Sequence, residues 1–142
     1  MFVTTQDDEY QDVYSWALIA SAQDIAKWRR LAAEAVARLG GDREAQVLAS
    51  LGVSELLSNI IKHVPDKACR LAVRAMDAWV YVHVFDTSRQ VPAMTRPSWD
   101  AESGRGLWLL NSMVPTWGYE CRADGKAVWF RVPLVRKVEV AA

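Results

Sequence analysis

Apolar positions along the chain follow two different periods, and the change between them divides the sequence into helices and strands. Ile25, Trp28, Leu31, Ala32, Ala35, Val36 and Leu39 recur close to every 3.6 residues, the spacing of a helix with one buried stripe. Ser21 can cap that helix, with Asp24 three positions on in a capping-box-like arrangement. Gly40–Gly41 ends it, and Asp42 can cap a second helix. The second helix carries Val47, Leu48 and Leu51 and continues through "SELLSNIIKHV" until Pro65 stops it. Ahead of both, "VYSWALIA" (13–20) mixes β-branched, aromatic and aliphatic residues and reads as a strand.

Period two takes over after Pro65. In "CRLAVRAM" (69–76), Leu71 and Val73 alternate with Arg70, Ala72 and Arg74. In "AWVYVHVFD" (78–86), Val80, Val82 and Val84 share one face, and Trp79, Tyr81, His83 and Phe85 share the other. Residues 87–105 break the pattern with Pro92, Pro97 and Gly104 and predict a long loop, of the kind that is functional or mobile in compact domains. "LWLLNSMV" (107–114) is apolar on nearly every side and predicts a buried helix ended by Pro115. "TWGYECR" and "AVWFRVPL" flank "ADGK", where Asp124–Gly125 is a good hairpin turn. Hairpin-linked strands with helices grouped apart predict an α+β fold: a two-layer α/β sandwich, its sheet mostly antiparallel, its helices on one face. One domain is expected over residues 13–135, between a loose N-terminal segment (1–12) and a C-terminal tail (136–142).

Composition narrows the function classes. The 142 residues are 51% hydrophobic and include seven Trp, which suits one folded domain with a real core. Seventeen basic residues balance seventeen acidic ones, which argues against a nucleic-acid binder working through bulk charge. No stretch approaches the roughly 20 apolar residues of a membrane helix. The opening "MFVTTQDDEY" has no cationic region ahead of an apolar one, so no signal peptide is expected. Cys69 and Cys121 stand far apart without a CxxC pattern, which argues against a thiolate metal site or a disulfide framework. A reduced, cytoplasmic protein is the expectation.

Three segments could carry chemistry. Glu55, Asn59 and His63 are spaced four apart and form a polar stripe along the edge of the second helix's apolar face. The stripe is either a solvated border or a base (Glu55) beside an oxygen ligand for magnesium (Asn59), an ion that takes few protein oxygens beside phosphates and waters. His63 is read as structural, favourable at a helix C-terminus. Asp86 closes a strand, where it can accept a hydrogen bond from a ligand's amine or form an Asx-turn into the loop. Gly104 and Gly106 bracket Arg105 at a helix start, a place for phosphate. Arg105 could neutralise phosphate charge; Arg89 and Arg96 could do the same but are read rather as solubilising loop residues.

Taken in order, these segments resemble the GHKL nucleotide-binding superfamily. They are closest to its small bacterial anti-sigma-factor serine/threonine kinases of the RsbW and SpoIIAB type. "GVSELLSNIIKHV" resembles the family's Glu–Asn helix, "FDTSRQVP" its adenine-binding segment, "ESGRGLWLLNSMVPTWGYE" its lid and second glycine box, and "GKAVWFRVPL" its final strand. The resemblance implies a Bergerat-type sandwich that binds ATP and Mg2+. Glu55 would be the catalytic base and Asn59 the magnesium ligand. Asp86 would bind the adenine amino group, with Ser88 in the same site. Gly104, Arg105, Gly106 and Leu107 would close over the phosphates. It further implies a STAS-type anti-anti-sigma protein as phosphoacceptor, a sigma factor as sequestered partner, and a homodimer. Ser88 and Gln90 stand where the wider superfamily has glycines, and Ala127 stands where its final strand often has a hydroxyl. These departures motivate a second reading, a binding module that acts by sequestration, and a third is an ATPase with water as nucleophile.

Overall fold

The computed structural model describes residues 13–90 and 116–134. The predicted helix at 107–114, most of the predicted loop and the glycine pair at 104 and 106 lie outside these residues, as do the N-terminal segment and the tail. The described elements are strand β1 (Val13–Ile19), helix α1 (Ile25–Arg38), helix α2 (Arg43–His63) and strands β2 (Ala68–Met76), β3 (Trp79–Asp86), β4 (Thr116–Arg122) and β5 (Gly125–Pro133). All strand pairings are antiparallel, in the order β1-β2-β3-β5-β4. This is the α+β architecture that the alternating strand pattern predicts.

The alternation in β3 decides which face is buried. Val80, Val82, Val84 and Asp86 face the core, beside Ala75, Val73, Leu71 and Cys69 of β2 and Val132, Phe130, Val128 and Lys126 of β5. The helices cover this face with Trp28, Ala32, Ala35 and Val36 from α1 and with Val53, Leu56, Leu57 and Ile60 from α2. Trp16 of β1 meets Trp28 edge to face at 6.1 Å, fixing α1 over the β1–β2 side. The opposite face carries Trp79, Tyr81, His83, Phe85 and Trp129, all partly covered. Arg131 stacks on Trp79 at 3.7 Å and donates to the Tyr81 hydroxyl at 3.1 Å.

Several local expectations are met with adjustments. Asp42 caps α2, its Oδ1 accepting the Ala45 N–H at 2.9 Å. Gly40 leaves α1 with a φ of 102°, a left-handed conformation that favours glycine. Ser21 caps no backbone amide: the chain first makes a 3-10 turn over Ala22–Asp24, and the Ser21 hydroxyl donates to Asp24 Oδ2 at 3.2 Å. The β4–β5 turn is Ala123–Asp124 rather than Asp124–Gly125, because Arg122 pairs with Gly125 and so puts the glycine on the strand. A Cβ on Gly125 would strike the backbone carbonyl of Asp86, so the tertiary approach of β3 requires this glycine.

Candidate functional site

Helix α2 lies close over β5 because Gly52 has no side chain. A Cβ there would lie 2.9 Å from Cε1 of Phe130 and nearer still to Cε2 and Cζ. From this crossing, Asn59 lies seven residues on, about 10 Å of helix rise. On β5, Lys126 lies four residues from Phe130, about 13 Å of strand. Because α2 ends at His63 and β2 begins at Ala68, the helix travels toward the row of the sheet that holds Cys69, Asp86 and Lys126.

Asp66 secures that end. Its carboxylate accepts the Thr87 hydroxyl at 3.1 and 3.3 Å and the Ala68 N–H at 3.0 Å. The turn leaving α2 is thereby tied to the residue following Asp86. Glu55 and Asn59 are half-buried on the border of α2, one turn apart, beside the buried Leu56 and Ile60. Burial raises the pKa of Glu55 above the ordinary carboxylate value, and the charge of Lys62 opposes that rise. His63 is exposed at the end of the helix.

Asp86 is the buried acid of the sheet, its side chain 1% exposed and that of Lys126 9% exposed. Lys126 Nζ donates to Oδ1 at 3.1 Å and lies 3.0 Å from Oδ2. The Ser88 N–H donates to Oδ1 at 2.8 Å, so the Asx-turn is formed. The Ser88 hydroxyl in turn accepts the Gln90 N–H at 3.1 Å. On the other side of Asp86, burial and the charges of Asp86 and Asp66 push the Cys69 thiol up to about 12. A cavity of about 510 Å³ opens at these strand ends, with Cys69, Phe85, Asp86, Thr87, Arg122 and Lys126 in its lining. Glu55 and Asn59 are not in that lining; they stand on the helix above the same end of the sheet.

Thus Asp86 and Ser88 form one unit and Glu55 and Asn59 another, while Gly104, Arg105, Gly106 and Leu107 lie outside the described residues. Among the described residues no group of three His, Cys, Asp or Glu side chains could hold a metal ion, so an ion near Asn59 would depend on phosphate and water oxygens. Sequence reasoning missed Lys126 and Asp66. The signal for Lys126 is register: a hairpin at "ADGK" places the residue after Gly125 opposite the end of β3.

Comparison with known proteins accords with this fold. No curated protein matches the chain. Among solved structures, the RsbU and RsbW domains of Rv1364c from Mycobacterium tuberculosis are similar in fold, with a TM-score of 0.62 and 19% identity, covering 86% of this chain and 33% of that one. The histidine kinase domain of the blue-light activated histidine kinase EL346 from Erythrobacter litoralis is similar with a TM-score of 0.51 and 21% identity, covering 78% of this chain and 61% of that one. The chain thus spans about a third and three fifths of these two proteins. No described helix is long and apolar enough to cross a membrane. Residues 18–132 match the family described as "Histidine kinase-like ATPase domain", and the chain belongs to that ATP-binding family.

Proposed function

We propose that the protein is an ATP-dependent serine/threonine protein kinase of the anti-sigma type. It would act in the cytoplasm, phosphorylate a STAS-type anti-anti-sigma partner and sequester a sigma factor, working as a homodimer. The observation that carries this reading is the placement of the half-buried Glu55 and Asn59 on a helix tied, through Asp66, to the strand end bearing the buried Asp86. Asp86 accepts the amine of adenine, with Ser88 at the edge of the same site. Asn59 offers its amide oxygen to magnesium. Gly104, Arg105, Gly106 and Leu107 close over the phosphates.

Bound ATP supplies the phosphoryl group, and magnesium supplies charge neutralisation. Glu55 accepts the proton of the partner's hydroxyl as the oxygen–phosphorus bond forms and the bond to the β-phosphate oxygen breaks, releasing ADP. Phosphoryl transfer asks mainly for positioning and an oriented nucleophile, and a general base contributes on the order of 10²–10⁴ in rate. Radiolabelled ATP, magnesium and a STAS partner test the proposal. Glu55→Ala should reduce label transfer by that factor, and unchanged transfer would remove Glu55 from its role.

A second reading has its own observation. Asp86 already accepts from Lys126 and Ser88, and Ser88 and Gln90 put side chains where the superfamily has glycines. A domain that holds ATP weakly would regulate its partner by sequestration. Calorimetry separates the two, because micromolar, magnesium-dependent ATP binding is incompatible with a ligand-free module.

A further inference from the structure

The pairing of Asp86 with Lys126 changes what the base-recognition end of the cleft can read. An ionised carboxylate offers about four acceptor positions. On Asp86, the Ser88 N–H and Lys126 take both positions of Oδ1, while Oδ2 lies 3.0 Å from Lys126 Nζ in the ion pair. The acceptor capacity that remains is on Oδ2. An ammonium has three N–H donors. One of those on Lys126 serves Oδ1, and another reaches only the Ser88 carbonyl, at 3.5 Å, the far limit of a hydrogen bond. The pair therefore presents one acceptor and one under-used donor side by side.

We propose that Lys126 is a specificity-determining residue: its ammonium donates to the ring nitrogen adjacent to the exocyclic amine that Asp86 accepts. The proposal rests on the reading of Asp86 as the adenine-binding carboxylate. A lone carboxylate reads only the amine. The pair reads the amine and its neighbouring ring nitrogen together, which are N6 and N1 of adenine. A keto purine places an oxygen against Oδ2, acceptor against acceptor. Ser88 contributes from both sides, its N–H orienting Oδ1 and its carbonyl holding a Lys126 donor only loosely.

The test uses ATP and 1-deaza-ATP, in which a C–H replaces the ring nitrogen at constant shape. Calorimetry on the wild-type protein should show ATP binding about 10-fold or more tighter than 1-deaza-ATP, the effect of one charged hydrogen bond. In Lys126→Met the preference should fall to within about 2-fold, because the donor that distinguishes the ligands is gone. Should Lys126→Met fail to fold, the wild-type comparison still decides. Equal binding of the two nucleotides by the wild type, or an undiminished preference in folded Lys126→Met, overturns the role of Lys126. Asp86→Asn separates the underlying reading. If the wild type binds no ATP, or if Asp86→Asn leaves ATP affinity unchanged, Asp86 does not read the base and the proposal falls with it. ATP binding that needs Asp86 but ignores the ring nitrogen removes Lys126 alone.

Discussion

Replacing Gly52 by alanine sets helix propensity against packing. Within a helix, Gly→Ala gains about 1 kcal/mol from backbone entropy. At this position the new methyl would lie 2.9 Å from Cε1 of Phe130 and closer to two further ring atoms. Carbon atoms rest about 3.5–4.0 Å apart, so the ring or the helix must retreat by roughly 1 Å. Phe130 has nowhere easy to go: it is fully buried and lies between Val82 and Trp117 on the neighbouring strands. Overpacking of this kind costs about 1–3 kcal/mol, and the larger part of that range exceeds the propensity gain. Gly52→Ala should therefore lower stability by up to about 2 kcal/mol in urea unfolding followed by circular dichroism. Adding Phe130→Leu should recover part of the loss, since contacting residues are not additive. Gly52→Ala stabilised by the full propensity term would refute the close crossing of α2 over β5. A loss that Phe130→Leu leaves untouched would refute Phe130 as its cause. The stakes reach the site, because a lifted helix carries Glu55 and Asn59 with it.

Burial raises Glu55, and a base works only when ionised, so transfer activity should fall with decreasing pH along a limb centred above the ordinary 4.5. Lys62→Met should move that limb further up, and a limb at or below 4.5 would sink the assignment. Burial, reinforced by Arg74 and Arg122 and opposed by Glu120, lowers His83 to about 4 from 6.5. Between these values the unfolded chain binds more protons than the native one, so stability should decrease as pH falls from 6.5 toward 4. The urea midpoint should record this, and His83→Gln should remove that part of the slope; an identical slope in the variant would exclude His83. Cys69 is buried, with its thiol pushed up to about 12, whereas Cys121 is exposed. A thiol-reactive dye should therefore label one cysteine in the native protein and the second only on unfolding, and two fast reactions would contradict the burial of Cys69.

What could be read from the sequence was whatever depends on local period. The split of β3 into a valine face and an aromatic face follows from side-chain alternation, and the cover of α1 and α2 over the valine face follows from their apolar stripes. The capping of α2 by Asp42 was equally local. Long-range contacts were not legible in this way. The β4–β5 turn falls one residue early because Gly125 must admit the Asp86 carbonyl, a neighbour from 39 residues away in the chain. A 3-10 turn after Ser21 stands in place of the expected cap: the serine oxygen accepts no backbone N–H, and its hydroxyl donates to the Asp24 carboxylate instead. Asp66 looked like an ordinary residue after Pro65, yet it joins the exit of α2 to Thr87.

The same distinction bears on why a lysine is buried opposite Asp86. A buried ion pair is weak evidence for stability, because desolvating two charges offsets much of their attraction, and apolar residues of similar volume often do as well. Row by row toward the other end of the sheet, this chain uses apolar residues: Leu71–Val84–Val128, then Val73–Val82–Phe130. Only the row at the open strand ends, Cys69–Asp86–Lys126, departs from that pattern. Stability alone gives no reason for the pattern to change there. The change coincides with the cavity and with the end of the sheet toward which α2 carries Asn59. A charged pair in that row, with an acceptor and a donor left under-used, is what the proposed reading of the base would use, and the apolar rows behind it hold it in place.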